Sequence, residues 1–202
     1  TKYLSINAAP LLDQYENFEG MLSIIQDITD KHKFQEALTE REQQLSTLIN
    51  STPDIICFKD GKGHWIQANR SDLELFGLIG VDYQGKTDKE LAKYCNPIYR
   101  DEFLSRKNRD EKAWQKGGMT RYEKTLPQIE GDIKIFDIIK VPIFEKDGQR
   151  KGLVVLGRDI TEKKKAEEQY KNIWQSAKDG MRVTDKNGII QEVNKAFCNI
   201  VE

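Results

Sequence analysis

A strand that ends in Asp-Ile-Thr and runs without a loop into a charged helix occurs twice in this chain. No other feature constrains its fold as strongly. Residues 1–29 slide onto 133–161 without a gap at an offset of 132, matching Lys2 with Lys134, Ile6 with Ile138, Gly20 with Gly152, and Asp27-Ile28-Thr29 with Asp159-Ile160-Thr161. Downstream, an offset of 125 lays Ser51, Asp54, Asp60, Gly63 and Asn69 on Ser176, Asp179, Asp185, Gly188 and Asn194. The two offsets differ by seven residues, all of them inside the two helices. An internal repeat of this kind marks tandem copies of one unit. It places one complete copy at residues 46–161, the closing strands of a preceding copy at 1–29, linker helices at 30–51 and 162–177, and the opening of a following copy at 178–202.

A length change of seven residues preserves the direction of a helix face, because a coiled-coil seam recurs every 3.5 residues. Phe34, Leu38, Leu45 and Leu48 follow such a seam, interrupted by Arg41; Ala166, Tyr170, Ile173 and Ala177 follow it in the second helix. Two readings fit these stripes: helices paired between two chains, which predicts a homodimer, or linkers packed on their own domains.

The 32 basic and 33 acidic residues nearly cancel, which leaves no electrostatic footprint for nucleic acid or an anionic membrane. The longest apolar runs, such as Leu153 to Leu156, fall far short of a membrane span. Neither end reads as a signal peptide. Cys57, Cys95 and Cys198 are odd in number and widely spaced, as suits reduced thiols, and the expected location is cytoplasmic.

Within the central copy, Asp54–Lys59 and His64–Ala68 read as a hairpin around the turn Asp60-Gly61-Lys62-Gly63. Asn69 stands where a helix N-cap is needed. Thr87 and Glu90 form a capping-box pair at the start of a short helix, and Pro97–Gln115 reads as a longer one. Three strands follow, 119–126, 132–144 and 151–159, the second alternating strongly. This order predicts an α+β fold, a five-stranded antiparallel sheet with short helices on one face, flanked by amphipathic linker helices. The flanking fragments carry strands without all their sheet partners. They are expected to be poorly ordered or to complement one another between chains.

Thr52-Pro53-Asp54-Ile55-Ile56, the turn at Asp60–Gly63, Asn69 ahead of Leu73-Glu74-Leu75-Phe76, Gly85-Lys86-Thr87-Asp88 and the exit Gly152 to Asp159-Ile160-Thr161 together resemble a PAS domain, the sensory box of bacterial signalling proteins. The resemblance implies a fold that encloses a small cavity, with a terminal strand and helix reporting its state. It also implies a relay segment without catalysis of its own, feeding a downstream output domain in the same chain. That output would be a histidine kinase within a phosphorelay; a diguanylate cyclase, a chemoreceptor and a ligand-free spacer are the alternatives.

A haem-binding PAS domain carries an axial histidine on its long helix, and residues 97–115 contain none. The flavin photosensor motif Asn-Cys-Arg-Phe-Leu-Gln is absent, and Tyr94-Cys95-Asn96-Pro97 does not replace it. The cofactor is therefore unknown and no metal is expected. The cavity reading is apolar. Phe58, Ile66, Leu73, Tyr94, Phe103, Tyr122, Phe136 and Ile138 are its candidate walls, with Asn69, Arg121 and Lys140 to orient a small-molecule ligand. These aromatics equally suit a filled core. Asp27 with Thr29, and Asp159 with Ile160 and Thr161, are the candidate signal junctions, with Thr29 capping the first helix and Asp159 and Thr161 together capping the second.

Overall fold

A computed structural model describes residues 1–129 and 131–201, and divides the chain into two compact units, Thr1–Ser51 and Thr52–Glu202. The first consists of strands β1 (Leu4–Leu12) and β2 (Phe18–Asp27), paired antiparallel, and helix α1 (Thr29–Asn50). Alternation that buries one sheet face needs a partner layer. Here the hairpin has none within its own unit, and Ile6, Met21 and Ile25 are all exposed. The seam residues Phe34, Leu38, Leu45 and Leu48 of α1 are exposed as well.

The second unit holds the predicted sheet. Strands β3 (Ile55–Asp60), β4 (Trp65–Ala68), β5 (Thr120–Pro127), β6 (Ile133–Phe144) and β7 (Arg150–Asp159) form one antiparallel sheet in the order β4-β3-β7-β6-β5. The last strand thus lies at the centre, between the opening hairpin and the β5–β6 pair. Between β4 and β5 run α2 (Arg70–Phe76), α3 (Asp88–Leu91), a single 3-10 turn at Pro97–Tyr99, and α4 (Arg100–Lys116). The stretch read as one helix from Pro97 begins with that tighter turn, capped by Asn96, whose side chain accepts from the Ile98 N–H at 3.2 Å. Thr87 and Glu90 form the expected capping box. Gly77 ends α2 in the left-handed conformation, φ 69°, which glycine adopts without penalty.

The core lies between the sheet and these helices: Trp65, Phe76, Leu78, Leu91, Tyr99 and Phe103 are fully or almost fully buried. Phe76 meets Tyr99 and Phe103 edge to face, with centroids 5.1 and 5.2 Å apart. Beyond the sheet, α5 (Thr161–Ser176) leads to the hairpin β8 (Arg182–Thr184) and β9 (Ile190–Val193) and to α6 (Lys195–Val201). Where poor order or pairing between chains was expected, each flanking fragment contains a hairpin with its own two-stranded sheet, closed locally by its turn. In β8–β9 the Asp185 carboxylate accepts from the Asn187 and Ile189 N–H groups, as Asp60 accepts from those of Lys62 and His64.

Both repeat offsets reappear as hydrogen bonds. Asn69 Oδ1 accepts from the Ile56 and Asp72 N–H groups, and its amide nitrogen donates to the Asp54 carbonyl. Asn194 repeats all three with Met181, Phe197 and Asp179, each partner displaced by 125 residues.

Candidate functional site

Two places carry chemistry, the interior of the sheet–helix sandwich and the exit at the end of β7.

Strand parity decides what enters the interior. In β3 the residues Ile55, Cys57 and Lys59 point inward; in β5 Tyr122, Lys124 and Leu126; in β6 Phe136, Ile138 and Lys140. Of these three lysines, Lys59 and Lys140 are fully buried in a hydrophobic core, where an unpaired charge is very costly, and Lys124 is only partly covered. Helix α4 answers them. On the face defined by Phe103 it presents Arg106 and Asp110, three and seven residues on, and Asp110 lies among the strand lysines. Lys59 Nζ donates to Asp88 Oδ2 at 2.6 Å and to Asp110 Oδ2 at 2.7 Å, while Lys140 donates to Asp110 Oδ1. Trp65 Nε1 completes Asp88 at 3.0 Å.

Burial raises the pKa of the Asp110 carboxyl, but Lys59 and Lys140 more than reverse this and hold it below its ordinary value. Burial likewise works against the charge on Lys59, which Asp88 and Asp110 restore to a raised pKa. For Lys140, burial prevails and its pKa is lowered.

Next to this network is a narrow, partly open pocket of about 30 Å³, lined by Cys57, Lys59, Asp72, Glu102, Arg106 and Tyr122 among others. Arg106 spreads its guanidinium over the Phe103 and Phe76 rings, 4.2 and 4.3 Å from their centroids. Asp72, at the start of α2, is 2% exposed, and its Oδ2 has no hydrogen-bond partner among the described residues. Burial pushes its pKa up to about 7, against the pull of Arg106 and Lys59.

That position has a consequence for stability. Between the ordinary carboxylate range and about pH 7 the folded chain holds a proton on Asp72 that the unfolded chain has released. Stability therefore falls as pH rises through this window and is level above it. Asp72→Asn removes the effect. In urea titrations the variant's stability relative to the parent is expected to climb from about pH 4 to pH 7 and then stay constant.

Of the predicted pocket residues, Tyr122, Ile138 and Lys140 line the cavity. Phe103 and Phe136 are core, and Leu73 packs against the core. Asn69 is fully buried, and its side chain bonds the backbone of Ile56, Asp72 and Asp54. Four assignments are corrected. Phe58 has the opposite parity to Cys57 and lies on the outer face, where a Cβ on Gly152 would meet its ring. Ile66 is 44% and Tyr94 54% exposed, because their neighbours Trp65 and Cys95 take the inward positions. Arg121 also points outward and makes a two-pronged ion pair with Asp137, at 2.8 and 2.6 Å. The interior is charged, not apolar. Lys59, Asp72, Asp88, Arg106 and Asp110 were missed, although Arg106 and Asp110 sit in the apolar stripe of their own helix and Lys59 shares the parity of Ile55 and Cys57.

At the exit, Asp159 Oδ1 accepts from the Thr161 N–H at 2.9 Å and from its hydroxyl at 2.5 Å. Thr161 Oγ1 in turn accepts from the Ile135 N–H of β6 at 2.9 Å, and the Ile160 N–H donates to the Ile135 carbonyl at 2.8 Å. Lys134 closes the cluster on Asp159 at 3.1 Å. Of the two residues expected to cap the helix, Asp159 satisfies the first helical N–H, whereas Thr161 is not a cap and ties the helix to the neighbouring strand. The same correction holds at the first exit. Asp27 accepts from the Thr29 N–H at 3.0 Å, Thr29 Oγ1 accepts from the Tyr3 N–H at 2.9 Å, and Lys2 lies 3.7 Å from Asp27. On the outer face below α5, Lys164 pairs with Glu123 at 2.7 Å, beside the Arg121–Asp137 pair.

A sheet with a central last strand, helices on one face, a narrow pocket and a strand-to-helix latch defines a sensory-type α+β domain. A family model described as the PAS fold matches residues 49–165, more than half of the sequence, and the chain belongs to that family. It is 32% identical over 130 residues to the aerobic respiration control sensor protein ArcB of Escherichia coli K12 and of Shigella flexneri. The match covers 61% of this chain, which spans only 16% of the length of those relatives. Among solved structures, a phage VqmA–DPO complex aligns with a TM-score of 0.52 at 23% identity, covering 68% of this chain and 61% of that one. The VqmA dimer of Vibrio cholerae gives 0.50 at 21%, covering 62% and 55%. At these identities the likeness is one of fold. Among the described residues no helix is long and apolar enough to cross a membrane.

Proposed function

We propose that this chain is a sensory and relay segment of a multi-PAS signalling protein, coupling a small ligand in the interior of its PAS domain to an output domain in the same protein. The output is a histidine kinase, in keeping with the sensor-protein relatives, and catalysis belongs to it and not to this segment. The observation that carries this reading is the latch at Asp159–Thr161. The end of β7, the first turn of α5 and the facing strand β6 share one set of hydrogen bonds, so a shift of the central strand moves the outgoing helix with it. The exposed stripes on the two linker helices, including Leu45 and Leu48 in one and Tyr170 and Ile173 in the other, are the surfaces through which a homodimer would form.

Thr161→Val keeps the shape and removes the hydroxyl, leaving the Ile135 N–H without its acceptor. The expected loss is about 1–2 kcal/mol in chemical unfolding. In the full-length protein, autophosphorylation should change in the signal-free state while the oligomer stays intact; unchanged output with an intact oligomer would overturn the latch mechanism. The small cavity favours one rival, a ligand-free spacer. Denaturing extraction and mass spectrometry that recover a stoichiometric small molecule from the native protein would exclude it.

A further inference from the structure

Around the cavity almost every charged group is already committed to a partner. Lys59 and Lys140 are held by Asp88 and Asp110, and Glu102 by Arg109 and Lys124. Two groups stand apart. Arg106 has only long ion pairs, 3.8 Å to Asp88 and 3.8 Å to Glu102, and makes no hydrogen bond among the described residues. Its guanidinium carbon is packed against two rings, 4.3 Å from the Phe76 centroid and 4.2 Å from that of Phe103. Asp72 leaves its buried Oδ2 without a partner. A guanidinium packed against aromatic rings, with no acceptor within hydrogen-bond distance among the described residues, can receive a carboxylate through two parallel hydrogen bonds.

Charge and volume narrow the guest. Four cations, Lys59, Arg106, Lys124 and Lys140, stand against Glu102, the two acids Asp88 and Asp110 that hold the buried lysines, and Asp72, so positive charge is in excess when Asp72 carries its proton. An anion is favoured there. A cavity of about 30 Å³ has room for roughly two water-sized groups, far from the hundreds of Å³ that a drug-sized ligand needs. It fits the head of a very small acid and excludes a nucleotide or a haem.

We propose that the cavity binds the carboxylate of a small monocarboxylic acid, its two oxygens on the Arg106 guanidinium, with Asp72 in its protonated form donating an O–H hydrogen bond to the same group. Binding takes up a proton from solvent at Asp72 when that residue is ionised beforehand, and no other bond is made or broken. The inference rests on the sensory reading given above and supplies the chemical class of its ligand.

The proton linkage sets the pH dependence. Asp72 faces Arg106 and Glu102 from α4, Lys59 and Cys57 from β3 and Asp88 from α3. Tyr122 and Lys124 approach the cavity from β5 and Lys140 from β6. Burial drives the Cys57 thiol well above its ordinary range and raises the Tyr122 phenol, so both stay neutral. Lys140, whose pKa burial lowers, would lose anion binding in the same direction as Asp72, and only substitution separates the two. With Asp72 titrating near 7, affinity should fall about tenfold per pH unit above that value. In Asp72→Asn the amide donates the same hydrogen bond at any pH.

The test is a titration of the isotope-labelled 202-residue chain with sodium formate and sodium acetate, followed by amide chemical shifts at pH 6 and pH 8, with ionic strength held by sodium chloride. Saturable shifts at cavity residues are expected, about tenfold weaker at pH 8. The Asp72→Asn chain should bind equally at both values, and Arg106→Lys more weakly than the parent. Absence of saturable shifts at pH 6, equal competition by chloride, or an unchanged pH dependence in Asp72→Asn would each overturn the proposal. The sensory reading fails separately. Acetate binding that leaves full-length kinase output unmoved would sink that reading and keep the site, whereas a silent cavity with Thr161→Val still altering output would do the reverse.

Discussion

Replacing Asp110 by Asn is expected to destabilise the central domain by about 3–5 kcal/mol, the range seen when one partner of a buried charge pair is removed. Asp110 sits between two lysines that are each no more than 2% exposed, and its two oxygens are divided between them. Without its charge, Lys140 has no carboxylate partner and Lys59 keeps only Asp88. Urea unfolding at neutral pH measures the loss. The pH dependence should change as well. Because the folded-state pKa of Asp110 is depressed, its contribution is present above the ordinary carboxylate range and disappears as pH falls through the folded value. The parent should therefore lose stability on the acid side more steeply than Asp110→Asn. Exchanging Asp110 and Lys140 together for apolar residues of similar size leaves Lys59 its Asp88 partner and should recover most of the stability, since a buried ion network seldom outperforms good packing. If the single substitution costs under 1 kcal/mol, the network is not the closed arrangement described.

Asn69→Ala is expected to cost about 3 kcal/mol or more. The side chain is wholly buried and serves two N–H groups and one carbonyl, which its removal leaves without partners at about 1–3 kcal/mol each when water cannot reach them. Asn69→Asp separates capping from the rest. A carboxylate still accepts from the Ile56 and Asp72 N–H groups but places negative charge against the Asp54 carbonyl, so it should be little better than alanine. Thermal unfolding of both variants decides this, and an Asp variant as stable as the parent would show that the bond to Asp54 contributes nothing.

The five-stranded antiparallel sheet and the strand-to-helix exits were legible because they depend on local patterns, alternation, turn residues and an insertion-free repeat, whereas the central place of the last strand rests on long-range pairing. The hydrogen bonds of Asn194 duplicate those of Asn69 partner for partner, so a sequence offset became a geometric one. The cavity was less legible for a specific reason. Alternation gives two faces without naming the inner one, and the assignments for Phe58, Ile66 and Arg121 followed the wrong face. Charge misled further. Lys59, Arg106 and Asp110 look like solvated residues one at a time, and only their shared location makes them a network. The spacing of Arg106 and Asp110 from Phe103 held the signal. The threonines of the two exits looked like helix caps because they stand at the first turn. Their true acceptor role, toward Ile135 and Tyr3, joins residues 26 apart and has no local signature.

Each exit draws its bonding groups from one strand end, one neighbouring strand and a single helical turn, all within its own copy of the unit. A joint that is complete in itself can be multiplied by gene duplication without redesign of either neighbour. A chain of such sensors can then gain or lose whole modules during evolution, and every added module arrives with its coupling already built in.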